Sequence, residues 1–564
     1  MPLRHRQPLG VGVAGLAAGV QGVARLLSRL PLEGRALYTI LATGVAGPER
    51  PDRLLAVYRA FERYGPMGAA LPAAAAHNGA RLAVVDERGA LTFDELDRRS
   101  NAVANALRAR GLHPGAPVAI LCRNHRGVFD AAFGVLKAGG RALFLNTDFA
   151  APQAREVCSR EGVQMIVYDE EFAGVVAAVD APRGRFVAWQ DDRSAEQPLE
   201  SLIATGNPEP PPAPTRPGDV VILTSGTTGA PKGATRSVPR SLVPIAAVLS
   251  RIPFRAREVT FVASPVHHAW GFGMSALGLG LGSTLLLRRR FDPDATLVAV
   301  SEHRATGLVV VPVMLSRLVD AATRCAGGEG GRLDLSSLRI IASSGSQLPA
   351  SLATRAMDVF GDVVYNLYGS TEVAWATIAT PRDLRDAPGT AGRPPLATTV
   401  RIYDDDGRPV PPGATGRIFV ASGLEFGGYT GGGSKEVIDG LMATGDVGHF
   451  DEEGRLFVDG RDDEMIVSGG ENVFPAEVEE LLSSHPAVAE AAAVGVDDEE
   501  FGQRLRAFVV VRPGFSLSAE EVKDHVRANL ARYKVPRDVV FVEALPRNPS
   551  GKVLKRELAA AEAG

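Results

Sequence analysis

The sequence predicts an α/β fold of two unequal parts. These are a large N-terminal domain of mostly parallel sheets covered by helices, and a smaller α+β C-terminal domain. A chain of 564 residues is too long for one hydrophobic core. Short apolar runs typical of buried strands alternate with helical segments, which is the rhythm of βαβ units. The residues after Gly460 carry helix and strand patterns of their own.

The elements of the large domain follow in chain order. Thr92 and Glu95 form a capping box, so we expect a helix that begins there and runs through Leu107. Apolar periodicity predicts a strand at Pro117–Leu121, a helix near Phe129–Ala138 and a strand near Ala142–Leu145. Continuous apolar runs predict strands at Val220–Leu223, buried on both faces, and at Leu338–Ser343 and Val363–Leu367.

The small domain has a mixed pattern. We expect a helix at Pro475–Ser483, strands at Ala491–Val496 and Arg506–Val511, and an amphipathic helix at Ala519–Leu530. The predicted boundaries are an apolar or amphipathic extension over residues 1–45, the large domain over 46–460 and the small domain over 461–564.

Composition places the chain among ordinary globular proteins. Hydrophobic residues make up 45% and charged residues 22%, and the net charge of −4 gives no reason to expect a nucleic-acid partner. Cys122, Cys158 and Cys325 are scattered and form neither a metal-binding pair nor a disulfide framework. We therefore expect a cytoplasmic protein.

The N-terminus contains an apolar stretch, Leu9–Leu30, preceded by Arg4 and Arg6. Arg25 and Arg29 interrupt the stretch, which makes it too short and too polar to span a membrane. No convincing signal-peptide cleavage site follows it. Two alternatives stay open: a helix packed on the domain, or a segment in weak peripheral association with the inner face of the membrane.

A loop rich in glycine and hydroxyl groups follows the strand Val220–Leu223. It supplies hydroxyls at Thr224, Ser225, Thr227 and Thr228, glycines at Gly226, Gly229 and Gly233, and a cation at Lys232. Such a loop can turn backbone N–H groups and hydroxyls toward a polyphosphate, although many loops of this composition are ordinary surface turns. It is not a Walker loop, because Lys232 is not followed by Ser or Thr.

Two further loops follow predicted parallel strands, at the edge of the sheet where ligands bind. The first contains Gly345, Ser346 and Gln347, and the second runs from Tyr368 to Glu372. An aromatic ring at Tyr368 can stack on adenine while the first loop closes the other side. Glu372 offers the hard oxygen ligand that Mg²⁺ prefers. The alternative is a carboxylate at a helix start beside a buried tyrosine.

The loop from Thr224 to Gly233 resembles the AMP-binding signature of the adenylate-forming superfamily. That superfamily includes acyl-CoA synthetases, luciferases and the adenylation domains of peptide synthetases. Matching motifs continue to the C-terminus, so the resemblance covers roughly residues 70–560.

The resemblance implies a role for each matching residue around the nucleotide. Thr224, Ser225, Gly226, Thr227, Thr228, Gly229 and Lys232 hold the phosphates of ATP, and Thr228 and Glu372 hold Mg²⁺. Gly345, Ser346, Gln347, Tyr368, Gly369 and Thr371 surround the base. Asp446 accepts hydrogen bonds from the ribose hydroxyls, and Arg461 reaches the nucleotide. A carboxylate suits the ribose because it can accept from both hydroxyls at once.

It also implies roles beyond the nucleotide. His268 lies beside the bound carboxylate, and Asp463 is the hinge about which the small C-terminal domain is mobile. Gly469 and Gly470 line the path of the pantetheine arm, and Lys552 bridges the carboxylate and the α-phosphate. Taken alone, a single histidine is more often structural, and a terminal lysine is usually a solvated surface charge.

The implied activity is that of an acid–thiol ligase, an AMP-forming acyl-CoA synthetase. A carboxylic acid reacts with Mg-ATP to give acyl-AMP and pyrophosphate, and coenzyme A then takes the acyl group. Two alternatives stay open: transfer of the acyl group to a carrier protein, and a nucleotide-binding relative without catalysis. The joint presence of Lys552, Glu372 and Asp446 argues against the second alternative.

The segment after His268 suggests the class of acid. It is apolar but poor in bulk, with small residues at Gly273, Ala276, Gly278, Gly280 and Gly282. A groove lined in this way can accept a methylene chain, which favours a medium- or long-chain fatty acid. The alternative is that the glycines only let a helix pack closely on the sheet.

Overall fold

The computed structural model describes most of the chain. The described residues are 31–45, 51–191, 197–223, 233–237, 241–327, 333–430, 432, 434–462, 466–468, 471–498, 502–548 and 551–560. The apolar stretch Leu9–Leu30 lies outside them. Among the described residues, no helix combines the length and apolar character needed to cross a membrane.

The helices are numbered in chain order. They are α1 (residues 31–41), α2 (Pro51–Asn78), α3 (Phe93–Ala109), α4 (Arg126–Lys137), α5 (Ala151–Glu161), α6 (Ala173–Val176), α7 (Leu199–Thr205), α8 (Val243–Leu249), α9 (Ala269–Gly280), α10 (Pro293–Glu302), α11 (Pro312–Gly327), α12 (Ala350–Phe360), α13 (Pro381–Asp386), α14 (Pro475–Ser483), α15 (Ala519–Asn529) and α16 (Lys555–Ala560).

The strands follow the same numbering. The first group is β1 (Leu82–Asp86), β2 (Gly89–Thr92), β3 (Pro117–Leu121), β4 (Arg141–Phe144), β5 (Met165–Asp169), β6 (Gly184–Trp189), β7 (Gln197–Pro198), β8 (Asp219–Leu223), β9 (Gly233–Ser237), β10 (Val259–Val262), β11 (Thr284–Leu286), β12 (Gly307–Val310) and β13 (Ile340–Ser343). The second group is β14 (Val364–Tyr368), β15 (Thr377–Ala379), β16 (Thr399–Tyr403), β17 (Gly416–Ala421), β18 (Glu425–Tyr429), β19 (Val437–Ile438), β20 (Leu441–Phe450), β21 (Leu456–Arg461), β22 (Ile466–Ser468), β23 (Glu471–Val473), β24 (Val488–Asp498), β25 (Gly502–Val511) and β26 (Asp538–Phe541).

Two eight-stranded sheets form the body of the protein. The first has the order β15-β14-β13-β12-β10-β11-β1-β2 and the second the order β18-β9-β8-β4-β3-β5-β6-β7. In both sheets the central pairs are parallel, and antiparallel pairs lie at the edges. The mostly parallel sheets expected from the βαβ rhythm are therefore confirmed.

One hydrophobic core lies between these two sheets. It combines Val84 and Val309 of the first sheet with Val118 and Val167 of the second, and α3, α4 and α9 contribute buried side chains to it. Further cores on the outer faces pack α10, α11 and α12 on the first sheet and α5 and α6 on the second. The layers alternate between helices and sheets, so each central strand is covered on both faces.

Two smaller sheets complete the fold. The antiparallel strands β16, β17, β20, β19 and β21 form one of them. The C-terminal sheet contains β22 to β26 and has its own core with α14 and α15. The change of sheet falls between Arg461, which ends β21, and Ile466, which begins β22.

Several predicted helix and strand bounds agree with the structure. The capping box is present at α3, where Thr92 accepts the Glu95 N–H and the Glu95 carboxylate accepts the Thr92 N–H. Strand β3 and helix α14 have the predicted bounds. The burial of β8 was predicted wrongly: Val220 and Ile222 are only half-buried, because their side of the strand borders a large cavity.

A buried ion pair joins the two large sheets. Asp86 ends β1 and Arg126 begins α4, and the guanidinium donates to the carboxylate from Nη2 at 2.5 Å and from Nε at 3.0 Å. The Arg126 backbone N–H donates to the same carboxylate at 2.9 Å. Burial alone would raise the pKa of Asp86, but the hydrogen bonds from Arg126 outweigh it and hold the pKa below its usual value.

Asp86→Ala should destabilise this part of the protein by about 3 kcal/mol, because it leaves a buried guanidinium unpaired. Asp406→Ala, at an exposed pair with Arg408, is the control and should change little. Since folding lowers the pKa of Asp86, its contribution is present above pH 3.8 and is lost as the pH falls further. Urea unfolding at neutral and acidic pH checks both points, and equal midpoints for the two variants would contradict the role given to the pair.

Candidate active site

A single cavity of about 1920 Å³ brings the predicted site residues together. Its walls come from the carboxyl ends of strands in both large sheets, from the antiparallel sheet and from the C-terminal region. The predicted residues that line it are His268, Gly345, Ser346, Gln347, Tyr368, Gly369, Thr371, Glu372, Asp446, Arg461 and Lys552. Residues separated by hundreds of positions in the chain therefore face one space.

Other predicted residues lie outside the described part of the chain. They are the loop Thr224–Lys232, the proposed hinge Asp463, and Gly469 and Gly470. Leu223, the residue before the loop, lines the cavity. The described strand therefore leads the chain to the site at the position where a phosphate loop is predicted.

The carboxylate of Asp446 is the best-enclosed charge of the site. The Tyr368 hydroxyl donates to it at 2.5 Å, and an Arg461 guanidinium nitrogen lies 3.7 Å from its other oxygen. Burial raises the pKa of Asp446, and this rise is opposed by the Tyr368 hydrogen bond and by the cations of Arg461 and Lys552. Tyrosine and cations together hold a negative group at the centre of the cavity.

The backbone around these residues is set by two glycines. Tyr368 ends β14, and a side chain at Gly369 would overlap the carbonyl oxygen of Ala374, so the chain folds back tightly there. Gly445 has a φ of +86° within β20, just before Asp446, and glycine accommodates this left-handed conformation without strain. Asp446 pairs with Arg461 across the β20–β21 ladder.

Glu372 is an ionised carboxylate held by two donors. The Tyr429 hydroxyl donates to one oxygen at 2.7 Å and the Ser370 hydroxyl to the other at 2.9 Å. Burial pushes the pKa of Glu372 upward, but the hydrogen bonds from Tyr429 and Ser370 outweigh it and the net pKa is lowered. Each oxygen keeps a second lone pair, so the group fits a hard cation such as Mg²⁺.

Lys552 reaches the cavity from the C-terminal region. Its backbone N–H donates to the Asn548 side chain at 2.9 Å, and its carbonyl accepts the Asn548 N–H at the same distance. Gly551 has a φ of +80°, and a Cβ there would lie 2.7 Å from Val313. The loop therefore packs closely on the start of α11, and Lys552 lines the cavity.

A second contact ties the C-terminal region to the large sheet. The Glu480 carboxylate in α14 accepts the backbone N–H of Ala350, the first residue of α12, at 2.6 Å. Pro349 at the N-cap of α12 has no side-chain oxygen, so Glu480 satisfies a donor that the helix leaves open. Burial raises the pKa of Glu480.

Two histidines face the cavity at the start of α9. His267 is buried and His268 is half-buried, and among the described residues neither ring nitrogen of His267 nor Nε2 of His268 has a partner. Burial lowers the pKa of His268 to about 4 and the pKa of His267 well below its usual value. Both rings are therefore neutral at physiological pH and can offer hydrogen bonds to a ligand.

Helix α9 forms an apolar wall of the cavity with small side chains. Gly273, Ala276 and Gly280 recur at helical spacing and line the cavity, and the space beside Gly273 and Gly280 is open. A Cβ at Gly278 would lie 2.9 Å from Leu285 of the sheet. Gly278 therefore lets the helix pack closely on the sheet, whereas Gly273 and Gly280 leave open space along the cavity.

Three functional candidates were missed from the sequence. Tyr429 and Glu480 act on partners far away in the chain, and no local signal marks them. His267 lies next to the predicted His268, with the ring centroids 4.4 Å apart, and the His-His pair in the sequence was a signal that two neutral rings could share one wall.

Cys122, His125 and Asp169 approach one another within 4.8 Å. His125 Nδ1 accepts the Gly127 N–H, so its Nε2 carries the proton that is donated to Asp169 at 2.7 Å. These groups are fully buried and already satisfied. The cluster has a structural role: it connects the ends of β3 and β5 through the hydrogen bond between His125 and Asp169.

Comparison with known proteins gives two family matches. Residues 71–430 match the family model described as "AMP-binding enzyme", and residues 477–552 match "AMP-binding enzyme C-terminal domain". The chain is 37% identical over 476 residues to a feruloyl-CoA synthase of Amycolatopsis sp, covering 83% of this chain and 93% of that protein.

Two further similarities extend the comparison. A fatty acid–[acyl-carrier-protein] ligase, ScoC of Streptomyces coeruleorubidus, is 31% identical over 504 residues, covering 86% of this chain and 94% of that protein. The solved anthranilate CoA ligase AuaEII, in complex with anthranoyl-AMP, superposes with a TM-score of 0.79 over 88% of this chain and 97% of that one. At 24% identity this last likeness shows the fold alone.

The Tyr429 hydroxyl makes the pH dependence of the site testable. Tyr429→Phe removes a donor to the ionised carboxylate, so the pKa of Glu372 should rise. The acidic limb of the pH profile for ATP–pyrophosphate exchange should then move to higher pH, and the alkaline limb should stay in place.

Tyr533→Phe is the matched control, because that ring is exposed in the C-terminal region and does not line the cavity. It should leave the whole profile unchanged. An acidic limb that does not move in Tyr429→Phe would show that ionisation of Glu372 does not control the reaction.

Proposed function

The chain belongs to the family of AMP-binding enzymes and is an adenylate-forming acid–thiol ligase; we propose that its acid has a long apolar body, in the manner of a medium- or long-chain fatty acid. ATP activates the acid as acyl-AMP, and coenzyme A takes the acyl group. One observation carries the residue roles: Lys552, Glu372 and Asp446 share one cavity with the apolar wall of α9.

The first half-reaction joins the acid to the nucleotide. A carboxylate oxygen of the acid attacks the α-phosphorus of ATP. The bond from the α-phosphorus to the oxygen that bridges it to the β-phosphorus breaks, and pyrophosphate leaves with the electron pair. Asp446 accepts hydrogen bonds from the ribose, and Arg461 and Lys552 neutralise charge on the nucleotide. Glu372 would hold Mg²⁺, which neutralises phosphate charge when bound. The protein mainly positions these groups.

The second half-reaction releases the acyl group. The thiol sulfur of coenzyme A attacks the acyl carbon, the bond to the AMP oxygen breaks, and the thiol proton passes to solvent. We propose that the region after Arg461 turns about Asp463 between the two steps, withdrawing Lys552. Glu480 on Ala350 and Gly551 on Val313 are the contacts that such a rotation would break.

The groove along α9 supports the proposal that the acid has a long acyl body. Gly273 and Gly280 are seven residues apart, so the open stretch is about 10 Å long at 1.5 Å per residue. Each methylene buried there contributes about 0.8 kcal/mol to binding. An aryl acid is the rival, because the relative named for feruloyl-CoA acts on an aromatic acid.

The acceptor has one rival as well. ScoC is named for transfer to an acyl carrier protein, which presents the same phosphopantetheine thiol as coenzyme A. Parallel assays with free coenzyme A and with a phosphopantetheinylated carrier protein separate the two. Faster thioester formation on coenzyme A is expected, and turnover on the carrier alone would overturn that part of the proposal.

Lys552→Ala should lower acyl-AMP formation by about 10²–10³-fold, because one preorganised donor to the transition state is lost. Conversion of supplied acyl-AMP and coenzyme A to thioester should be nearly unchanged. Pyrophosphate release and thioester formation are measured separately.

Lys523→Ala is the control, since Lys523 lies on α15 away from the cavity. It should leave both half-reactions intact. If Lys552→Ala slowed the two half-reactions equally, Lys552 would not be specific to adenylation.

Gly280→Leu should shorten the groove and lower the acid length at which kcat/KM peaks, without harming short acids. Gly174→Leu, at a helical glycine with open space outside the cavity, is the matched control. ATP–pyrophosphate exchange across straight-chain acids and ferulate gives the profile. A wild-type preference for ferulate over every straight-chain acid would overturn the chain-length proposal and leave the adenylation chemistry standing.

A further inference from the structure

Exposed apolar side chains are concentrated on α1, on α2 and at the start of α8. Eight of the fifteen large exposed hydrophobic residues in the described chain belong to α1, α2 and the start of α8. These eight, which we name the apolar rim, are Leu37, Tyr38, Leu41, Leu55, Tyr58, Phe61, Leu242 and Ile245. Such a concentration marks an interaction surface more often than scattered single residues do.

Half of the apolar rim lines the cavity. Tyr58 and Phe61 of α2 are 62% and 43% exposed, Leu242 and Ile245 are 39% and 46% exposed, and all four line the cavity. The cavity therefore reaches the surface between α2 and α8. Gly280 and Leu277 of α9 line the same cavity, so the groove for the acid communicates with this opening.

Helix α1 extends the rim in a fixed position. Glu33, Leu37, Ile40 and Leu41 share one face at helical spacing; Glu33 and Ile40 line the cavity, and Leu37 and Leu41 are exposed. The Ser241 hydroxyl donates to Glu33 at 2.6 Å. Ala36, one turn before Ile40, is fully buried against Val243 and Ala246 of α8, and Ile40 packs on the same cluster. The exposed leucines therefore lie on a helix that is anchored to the body.

The chain before α1 has a matching character. Residues 1–30 contain Arg4, Arg6, Arg25 and Arg29 and no acidic residue, and Leu9–Leu30 is mostly apolar. In the sequence this basic, apolar stretch is followed directly by α1, which carries Leu37, Tyr38 and Leu41 of the rim. Exposed apolar side chains next to a basic segment are typical of proteins that bind membranes containing anionic lipids. The apolar side chains enter the acyl region, and the basic residues contact the headgroups.

We propose that the apolar rim docks on an anionic lipid surface, so that a long apolar acid passes from the lipid into the cavity between α2 and α8. The proposal rests on the proposed function for the class of acid, but not for the docking itself. A long apolar acid partitions into lipid for the same reason that it binds the groove, since each methylene leaves water. If the opening of the cavity faces the lipid, the acid can move from the lipid into the cavity without entering water.

The test is co-sedimentation of the full-length protein with vesicles, without ATP, coenzyme A or acid. Vesicles of phosphatidylcholine with phosphatidylglycerol should bind the protein, and vesicles of phosphatidylcholine alone should bind it less. Leu37→Asn with Leu41→Asn should lower the partition constant by about tenfold or more, because both side chains are exposed in the rim. Asparagine is neutral, so the substitution changes no charge.

Val359→Asn with Phe515→Asn is the matched control, since both residues are exposed outside the rim. It should bind vesicles like the wild type. Arg25→Gln with Arg29→Gln should reduce the preference for anionic vesicles and keep the catalytic rate on a short, water-soluble acid.

Three results would overturn the docking proposal. They are wild-type protein that stays in the supernatant with anionic vesicles, a rim variant that binds like the wild type, and a dimer whose mass halves in the rim variant. Pyrophosphate exchange with a short acid, measured without vesicles, reports on the proposed function independently. Loss of docking with intact exchange therefore differs from loss of the enzymatic proposal.

Discussion

The hydrogen bond from Tyr368 to Asp446 is the interaction on which the site depends. Tyr368 ends a strand of the first large sheet, and Asp446 belongs to the antiparallel sheet, so this bond joins two sheets at the cavity. A buried carboxylate is costly unless it is paired. The cations of Arg461 and Lys552 oppose the rise in the pKa of Asp446 that burial causes. Lys552 belongs to the C-terminal region. One negative group thus draws three parts of the chain together.

Most of the architecture could be predicted because it follows local rules. The capping box at Thr92 fixed the start of α3, and the apolar run Pro117–Leu121 is a strand with those bounds. Loops after parallel strands converge at one edge of a sheet, which is why Tyr368 and Gly345 line one cavity. The burial of β8 was misjudged, because an apolar run does not show that one face borders a cavity instead of a core.

What escaped prediction depends on contacts between distant parts of the chain. Tyr429 is 57 residues from Glu372, and Glu480 is 130 residues from Ala350. Neither has a local pattern, because a tyrosine or a glutamate on a strand or helix fits many surroundings. The glycines of α9 were ambiguous for a related reason: spacing does not tell whether Gly278 or Gly280 faces the sheet. The structure separates the two faces of that helix.

We propose that the nucleotide and the apolar body of the acid occupy one continuous cavity. Calorimetry with hydrolysis-resistant acyl-adenylate analogues tests it most directly, by comparing an acetyl with a dodecanoyl compound. We expect the dodecanoyl analogue to bind at least about a hundredfold more tightly than the acetyl analogue, because its methylenes are buried along α9. It should also exclude both ATP and free dodecanoate. Equal affinity for the two analogues, or dodecanoate binding that persists beside the dodecanoyl analogue, would contradict the claim.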